Sequence, residues 1–318
     1  MTPPHHRSTP MAAARPLLER SANRARLLAT SLSRRLPRFR GKERMLRAYD
    51  RYLRRFAAAG QQLCLTVNGV SFALDTEDLI DFRIAYLAEH DSSVGRCLNG
   101  LLRGRSAVLW DVGANVGSIS LPLARRHPDL VVDAFEPSPP VVARLRRNLA
   151  LNTALAARVD VYDVALCDRT GWAEFFPSAE PGNSGVGALM ACANTAATSV
   201  RVAAHSGDDL IAAGAARPPD VLKIDVEGFE YEVLYGLRRH LARHAAAAVI
   251  FEHEPYRLRD RNQSASAADL LSSLGFSLFA LPTRGATLSA LQPSMLDEHV
   301  DILACRARAI PERLERWA

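Results

Sequence analysis

From residue 107 onward, short strand-like runs alternate with helical periodicity, and that alternation admits few architectures. The runs are AVLWDV (107–112), VVDAFE (131–136), VDVYDVAL (159–166), DVLKID (220–225), AAVIFE (247–252), FSLFAL (276–281) and VDILAC (300–305). Helical stretches over 117–127, 138–151, 229–243 and 264–274 separate most of them, the last ending at Gly275, where a glycine cap belongs. Short strands alternating with helices build parallel βαβ units. The expected class is therefore α/β, a Rossmann-like, seven-stranded, mostly parallel sheet flanked by helices.

The chain before this region is organised differently. MTPPHHRSTPMAAARP is rich in Pro, His and Ala with little to bury, and is expected to be disordered. Over 17–36, Leu17, Leu18, Leu28, Leu32 and Leu36 share one helical face, with Arg20, Arg24, Arg34 and Arg35 around it. Met45, Leu46, Tyr49, Tyr52, Leu53 and Phe56 make a second amphipathic stripe. LCLTV and VSFAL (63–74) flank Asn68-Gly69, a dipeptide suited to the positive φ angles of a two-residue hairpin turn. A helix is expected over 77–102, with Leu79, Ile80, Phe82, Ile84 and Leu87 as its apolar positions. The chain thus divides into a basic arm (1–60), a hairpin and helix (61–106), a core domain (107–306) and a tail (307–318).

Charge follows the same division. The chain carries a formal net charge of +6, yet residues 1–60 hold fifteen Arg or Lys against Glu19, Glu43 and Asp50, which leaves the remainder acidic. The basicity belongs to the arm, which argues against a nucleic-acid footprint spread over the fold. Three roles suit the arm: a helix packed on the domain beside a basic tail, a segment drawn to an anionic membrane surface, or a transit peptide. No apolar stretch approaches the ~18 residues of a membrane span. Cys64, Cys97, Cys167, Cys192 and Cys305 are scattered, without a CxxC pair, which suits free thiols in a reducing, cytoplasmic setting with at most peripheral membrane contact. Nothing in the sequence sets the oligomeric state.

The loop Asp111-Val-Gly-Ala-Asn-Val-Gly117 follows the first strand of the core and opens its first helix. In open α/β sheets, ligands sit at that position, beyond the carboxyl ends of the strands. Gly113 and Gly117 let the backbone turn and a ligand approach, with Ala114 and Asn115 between them. A dinucleotide fingerprint needs three glycines, and Asn115 and Ser118 occupy the second and third positions. Asp111 adds a carboxylate, which repels a pyrophosphate and suits the sulfonium and ammonium of S-adenosylmethionine. Glu136, ending the second strand, is placed to accept both ribose hydroxyls. Asp163 and Ala165, near the end of the third strand, are placed to border the adenine.

The chemical end is rich in ionisable groups. Strand alternation puts Lys223, Asp225 and Glu227 on a common side at the exit of the fourth strand. The fifth strand ends in Phe251-Glu252-His253-Glu254-Pro255. Strands four and five neighbour the first, so both clusters rim the pocket, as active-site groups do. Asp225, Glu252 and His253 are candidates for a general base there, with an imidazole nearest neutrality. A rival arrangement places Mg²⁺ between Asp225 and Glu252, but is not favoured because those carboxylates equally hold Lys223 and the cofactor ammonium.

DVGANVGSIS, AFEPSP, VALCDRTG, KIDVEGFE and FEHEP together resemble the FkbM-type family of S-adenosylmethionine-dependent methyltransferases over roughly residues 75–305. The resemblance implies the class I methyltransferase version of the Rossmann-like fold and O-methylation of a hydroxyl on a sugar, a glycan or glycolipid, or a natural product. It places cofactor contacts on Asp111, Gly113, Asn115, Gly117 and Glu136, and GNSGVGAL (182–189) resembles the family's loop over the pocket. The alternatives are a catalytically inactive nucleoside-binding scaffold, an NAD(P) oxidoreductase, or methylation of nucleic acid. The intact loop and KIDVEG segment oppose the first, the failed glycine pattern the second. The third lacks an Asn/Asp-Pro-Pro-Tyr/Phe motif and faces an acidic body.

Overall fold

The computed structural model describes residues 10–37, 39–58, 60–88, 93–180, 182–189, 195–243, 248–256, 266–282 and 288–306. The expected tail at 307–318 and the first nine residues lie outside them. The chain forms two compact units, Met1–Glu89 and His90–Ala318.

The first unit contains helices α1 (Pro10–Arg35), α2 (Lys42–Arg54) and α3 (Leu79–Leu87) and the hairpin β1 (Leu63–Val67) and β2 (Val70–Leu74). Asn68 (φ 49°) and Gly69 (φ 78°) turn the hairpin, in which Val67 pairs Val70. Hairpin and α3 therefore group with the basic arm, and the division falls at 89/90 rather than at 60 and 106. Helix α1 begins at Pro10, so the expected disorder does not extend over residues 10–16. The helix expected over 77–102 is two: α3 stops where Ala88 turns left-handed (φ 51°), and α4 (Ser93–Leu102) belongs to the second unit.

The second unit is built on an eight-stranded sheet. Its strands are β3 (Ala107–Val112), β4 (Leu130–Phe135), β5 (Val159–Tyr162), β9 (Val221–Ile224), β10 (Ala248–His253), β11 (Ser277–Ala280), β12 (Ser289–Ala290) and β13 (Val300–Cys305). They lie in the order β12-β11-β13-β10-β9-β3-β4-β5. Pairing is parallel from β10 through β9, β3 and β4 to β5, and β13 runs antiparallel between β10 and β11. The chain leaves β3 toward β4 and later returns to the other side of β3 as β9, which creates the switch point. This is the expected Rossmann-like α/β fold, with two-residue β12 as an eighth strand at the edge.

Helices α5 (Ser120–Arg126), α6 (Pro139–Ala150), α7 (Gly207–Ala212), α8 (Glu230–Gly236), α9 (Arg238–Arg243) and α10 (Ala267–Ser273) flank the sheet. The sheet's central strands are apolar on both faces, as strands covered on two sides must be. Trp110, Phe135, Leu222, Leu234 and Phe251 are among the residues of its core. Trp110 reconciles its indole with burial by donating from Nε1 to the Arg217 carbonyl at 2.8 Å.

Two elements depart from the sequence-based expectation. The run 159–166 is not one strand. Asp163, a poor strand former, falls in a break, and Ala165–Cys167 (β6) pairs instead with β8 (Val200–Ser206) in a second sheet ordered β6-β8-β7, where β7 is Gly171–Phe175. The helix expected over 229–243 is interrupted at Leu237, next to Gly236. A Cβ on Gly236 would stand 2.0 Å from the Cys167 carbonyl oxygen, so the glycine that weakens the helix is what admits β6 against it.

Candidate active site

The 111–117 loop is set by backbone geometry. The Phe135 carbonyl accepts from the N–H groups of both Gly113 and Ala114, each at 3.0 Å, which ties the loop to the end of β4. Gly113 adopts φ +76°, and a Cβ there would lie 1.9 Å from the Asp225 carbonyl oxygen. Only glycine fits, because β9's exit passes directly beneath the loop. Asn115 is also left-handed (φ 50°), a conformation that asparagine tolerates, and its Oδ1 accepts from the Val116 N–H at 2.8 Å. Gly117 (φ +83°) sits against Leu121 and Leu145, and Ala114 is buried.

Glu136 extends from β4 into this loop. Its Oε2 accepts from Asn115 N–H at 3.0 Å and its Oε1 from Ser138 N–H at 2.9 Å. Each oxygen keeps a further lone pair for a ligand hydroxyl. Burial pushes the carboxyl up to about 7, against the opposing pull of the Ser138 and Asn115 donors.

Asp111 is fully buried. Ser120 Oγ donates to its Oδ2, and Lys223 Nζ stands 3.2 Å from its Oδ1. The same ammonium reaches Asp225 Oδ2 at 3.3 Å and donates to the Gly113 carbonyl at 2.9 Å. Burial would lower the Lys223 pKa, but the Asp111 and Asp225 carboxylates outweigh it and hold it above the ordinary lysine value. Lys223 thus joins β3, the glycine loop and β9 around one buried charge. Asp225 is half exposed and is the member of this group that faces outward.

Beyond Asp225 the chain turns sharply, with Glu227 (φ 56°) and Gly228 (φ 95°) both left-handed. Strand alternation ends at Ile224, so it does not govern Glu227. Glu230 Oε1 accepts from Gly228 N–H (3.2 Å) and Val226 N–H (3.3 Å), and burial pushes its carboxyl up to about 7. The last acid of KIDVEGFE therefore fastens the turn.

Acidic groups gather at the end of β10. Glu252 pairs across the strands with Asp301 of β13, and burial followed by Asp225, Glu254, Glu227 and Asp301 pushes its carboxyl up to about 9. Burial also raises Asp301, whose Oδ2 accepts from Ser93 Oγ at 3.1 Å. His299 answers this charge, with Nε2 3.1 Å from Glu252 Oε1 and Nδ1 3.6 Å from Glu254 Oε1. Sequence reasoning missed His299 and Asp301. The signal lay in the last strand: because β13 is antiparallel to β10, its first residues meet β10's last ones.

The structure does not bring His253 into this group. It follows Glu252 on the strand and so projects to the other face, where its Nε2 lies 3.0 Å from the Leu296 carbonyl. A carbonyl only accepts, so that nitrogen carries the proton and the ring serves a buried structural bond. Asp163 is 63% exposed and paired with Arg146 at 3.2 Å, while Ala165 is buried in the second sheet. In the GNSGVGAL segment, Ser184 Oγ accepts from Arg144 of α6 at 3.2 Å.

A glycine-cornered loop at the switch point, an acid ending the second parallel strand and no third glycine define a nucleoside-binding α/β protein of the methyltransferase class. The FkbM methyltransferase domain matches residues 111–278, just over half of the sequence. This chain belongs to that family. It is 33% identical over 138 residues to the hexuronic acid methyltransferase AglP of Haloferax volcanii, covering 42% of this chain and 51% of that one. It is 30% identical over 196 residues to the methyltransferase sdnD of Sordaria araneosa, covering 53% and 73%. Against the 31-O-demethyl-FK506 methyltransferase FkbM of Streptomyces tacrolimicus, identity is 42% over 74 residues, covering 23% and 27%. The match spans about half the length of the first of these relatives. Among solved structures, methyltransferase FkbM from Methylobacillus flagellatus is similar at 14% identity and a TM-score of 0.42, over 92% of this chain and 60% of that one.

Proposed function

We propose that this chain transfers a methyl group from S-adenosylmethionine to a hydroxyl of a sugar, glycan, glycolipid or natural product. The observation that carries the proposal is the cradle in which Gly113 has no room for a side chain and Glu136 keeps a free lone pair on each oxygen, beside the Asp225–Glu252–His299 group. One relative's name, a 31-O-demethyl-FK506 methyltransferase, supports an oxygen acceptor, and another's, a hexuronic acid methyltransferase, supports a sugar-derived one. Bound there, the cofactor supplies an electrophilic methyl on a sulfonium. Glu136 would accept from the ribose hydroxyls, Asn115 and Gly113 shape the loop, and Asp225, beside Glu252, would orient the acceptor hydroxyl. The acceptor proton passes to His299, whose ring Glu252 holds in place at 3.1 Å. Alignment of the hydroxyl supplies much of the barrier reduction.

Turnover and cofactor affinity separate these roles. Asp225→Asn is expected to remove turnover of a hydroxylated sugar with radiolabelled methyl donor while S-adenosylhomocysteine affinity stays within about tenfold, ~1.4 kcal/mol. An active Asp225→Asn enzyme ends the assignment of that residue. In thermal shift, stabilisation by NAD without stabilisation by S-adenosylhomocysteine overturns the whole proposal.

Glu136 makes the affinity pH-dependent. The ionised carboxylate is the form that accepts two hydroxyls, and burial holds the group protonated until pH about 7. Affinity for S-adenosylhomocysteine should therefore rise as pH rises through about 7, by up to ~10-fold per unit below that point. Calorimetric titration of the wild type and Glu136→Gln checks this: the variant binds weakly and flatly, and a flat wild-type profile rules the role out.

A second mechanism draws on one observation. One ligand atom each from Glu252, Glu254 and His299 lies within 4.8 Å of the others, a grouping able to hold a divalent cation that acidifies the acceptor hydroxyl. It differs from the expected Asp225–Glu252 pair. Activity that survives EDTA supports the base; activity lost to EDTA and restored by Mg²⁺ supports the cation.

A further inference from the structure

Helices α1 and α2 of the first unit turn polar side chains inward. Along α1 the buried positions are Ala22, Arg26, Thr30 and Ser33, one face of the helix, and Arg26 is only 1% exposed. Its guanidinium meets Asp50 Oδ1 at 3.0 Å and donates to Thr76 Oγ1 at 2.6 Å. Thr76 Oγ1 and Tyr86 Oη each donate to Asp50 at 2.6 Å, closing a buried polar network. Helix α2 turns the same way, burying Lys42 and Asp50 beside Leu46.

The apolar residues are left outside. Leu28, Leu32 and Leu36 are 65%, 61% and 48% exposed, and Met45, Tyr49 and Tyr52 form a matching exposed row on α2. Between the two helices runs a groove of about 400 Å³, lined by Leu28, Leu32, Leu36, Met45 and Tyr49. Of the sixteen large apolar residues exposed among the described residues, eleven lie between 17 and 56. Scattered exposed leucines need no explanation, but a contiguous apolar face on a folded unit marks an interaction site.

The surrounding charge selects the partner. Arg20, Arg24 and Arg35 of α1 and Arg44, Arg47 and Arg51 of α2 are exposed. The stretch has three acids, of which Asp50 is buried and Glu19 and Glu43 are half-buried. At 100° per residue, Arg20, Arg24 and Arg35 fall along one edge of the α1 leucine stripe. Apolar side chains for acyl tails, bordered by arginines for anionic headgroups, make an interfacial helix pair. A nucleic acid would satisfy the arginines and leave the leucines in water. A second copy docked on this face would bring two sets of arginines together.

We propose that the α1–α2 face docks on an anionic lipid bilayer. The test is flotation of the full chain with phosphatidylcholine vesicles, with and without phosphatidylglycerol. The expected result is binding only to the anionic vesicles, weakened by salt. Arg24→Ala/Arg35→Ala should weaken it about 30-fold, and Leu28→Glu/Leu32→Glu should abolish it. Both variants alter exposed side chains, so unchanged circular dichroism melting and unchanged stabilisation by S-adenosylhomocysteine confirm folding independently of the lipid result. Equal binding to neutral vesicles overturns the proposal. So does absence of vesicle binding together with a dimer, seen by light scattering, that Leu28→Glu/Leu32→Glu disperses; that outcome assigns the face to a second copy.

Discussion

Gly113→Ala should lose measurable S-adenosylhomocysteine binding and melt well below the wild type. Two effects add. Alanine in the left-handed region costs about 1 kcal/mol, and forcing a methyl into a filled space costs about 1–3 kcal/mol more. Here the obstacle is the Asp225 carbonyl oxygen, 1.9 Å from the new carbon, and backbone cannot rotate away as a side chain would. Either the loop lifts from β9 or β9's exit moves, and both disturb the groups assigned to the cofactor. A sum of about 3 kcal/mol corresponds to a fall of roughly 6–12 °C for a unit of this size. Gly214→Ala is the control: it shares a positive φ (+65°) but has open space around it, so it should show only the smaller backbone effect and bind normally. Equal behaviour of the two variants in calorimetric melting would show that the contact with Asp225 does not matter.

Lys223→Met should be as damaging for an electrostatic reason. Methionine keeps most of the side-chain volume and removes the cation that Asp111 faces at 3.2 Å. Removing one member of a buried ion pair typically costs about 3–5 kcal/mol, because the remaining charge is stranded. The sign with pH follows. A stranded Asp111 carboxylate takes up a proton in the folded state more readily than in the unfolded one, so its pKa in the variant is raised. The variant's deficit should therefore be smallest at acid pH and grow as pH rises through that raised value. Urea unfolding at several pH values measures it. Lys223→Met/Asp111→Asn should recover part of the loss, since the double change removes both charges. A deficit independent of pH, with no recovery, would locate Lys223's contribution in packing and its bond to the Gly113 carbonyl instead.

Much of the second unit was legible because its signals are local. Most strand runs and helix periods, the Gly275 stop and, in the first unit, the Asn68-Gly69 turn each depend on a few neighbouring residues, and the structure contains them. The loop at 111–117 was legible as a tight strand-to-helix turn because glycines at such a junction have a backbone consequence wherever they occur. The failures were non-local. Residues 159–166 look like one strand, and only the position of β8 moves Ala165 into another sheet. Asp111 reads as a free carboxylate until Lys223, 112 residues later, is seen beside it. His253 looks like the better base because histidine titrates near neutrality, yet its face of β10 leads to the Leu296 carbonyl.

The arm shows the limit most clearly. Its leucine and arginine spacing established two amphipathic helices, but not which face of each turns inward. Periodicity gives a helix two faces and leaves open which one is buried; Asp50 and Thr76 decided that by supplying partners for Arg26, with Tyr86 donating to Asp50. In this protein the sequence by itself determined the parallel α/β class, the glycine-cornered loop and the charge of the arm, all of which follow from short-range backbone preference and composition. Tertiary structure alone decided which carboxylate is neutralised, which histidine faces the acids and which helical face meets solvent. Those depend on the distance between side chains far apart in the chain, and Coulomb energy and burial act on distance.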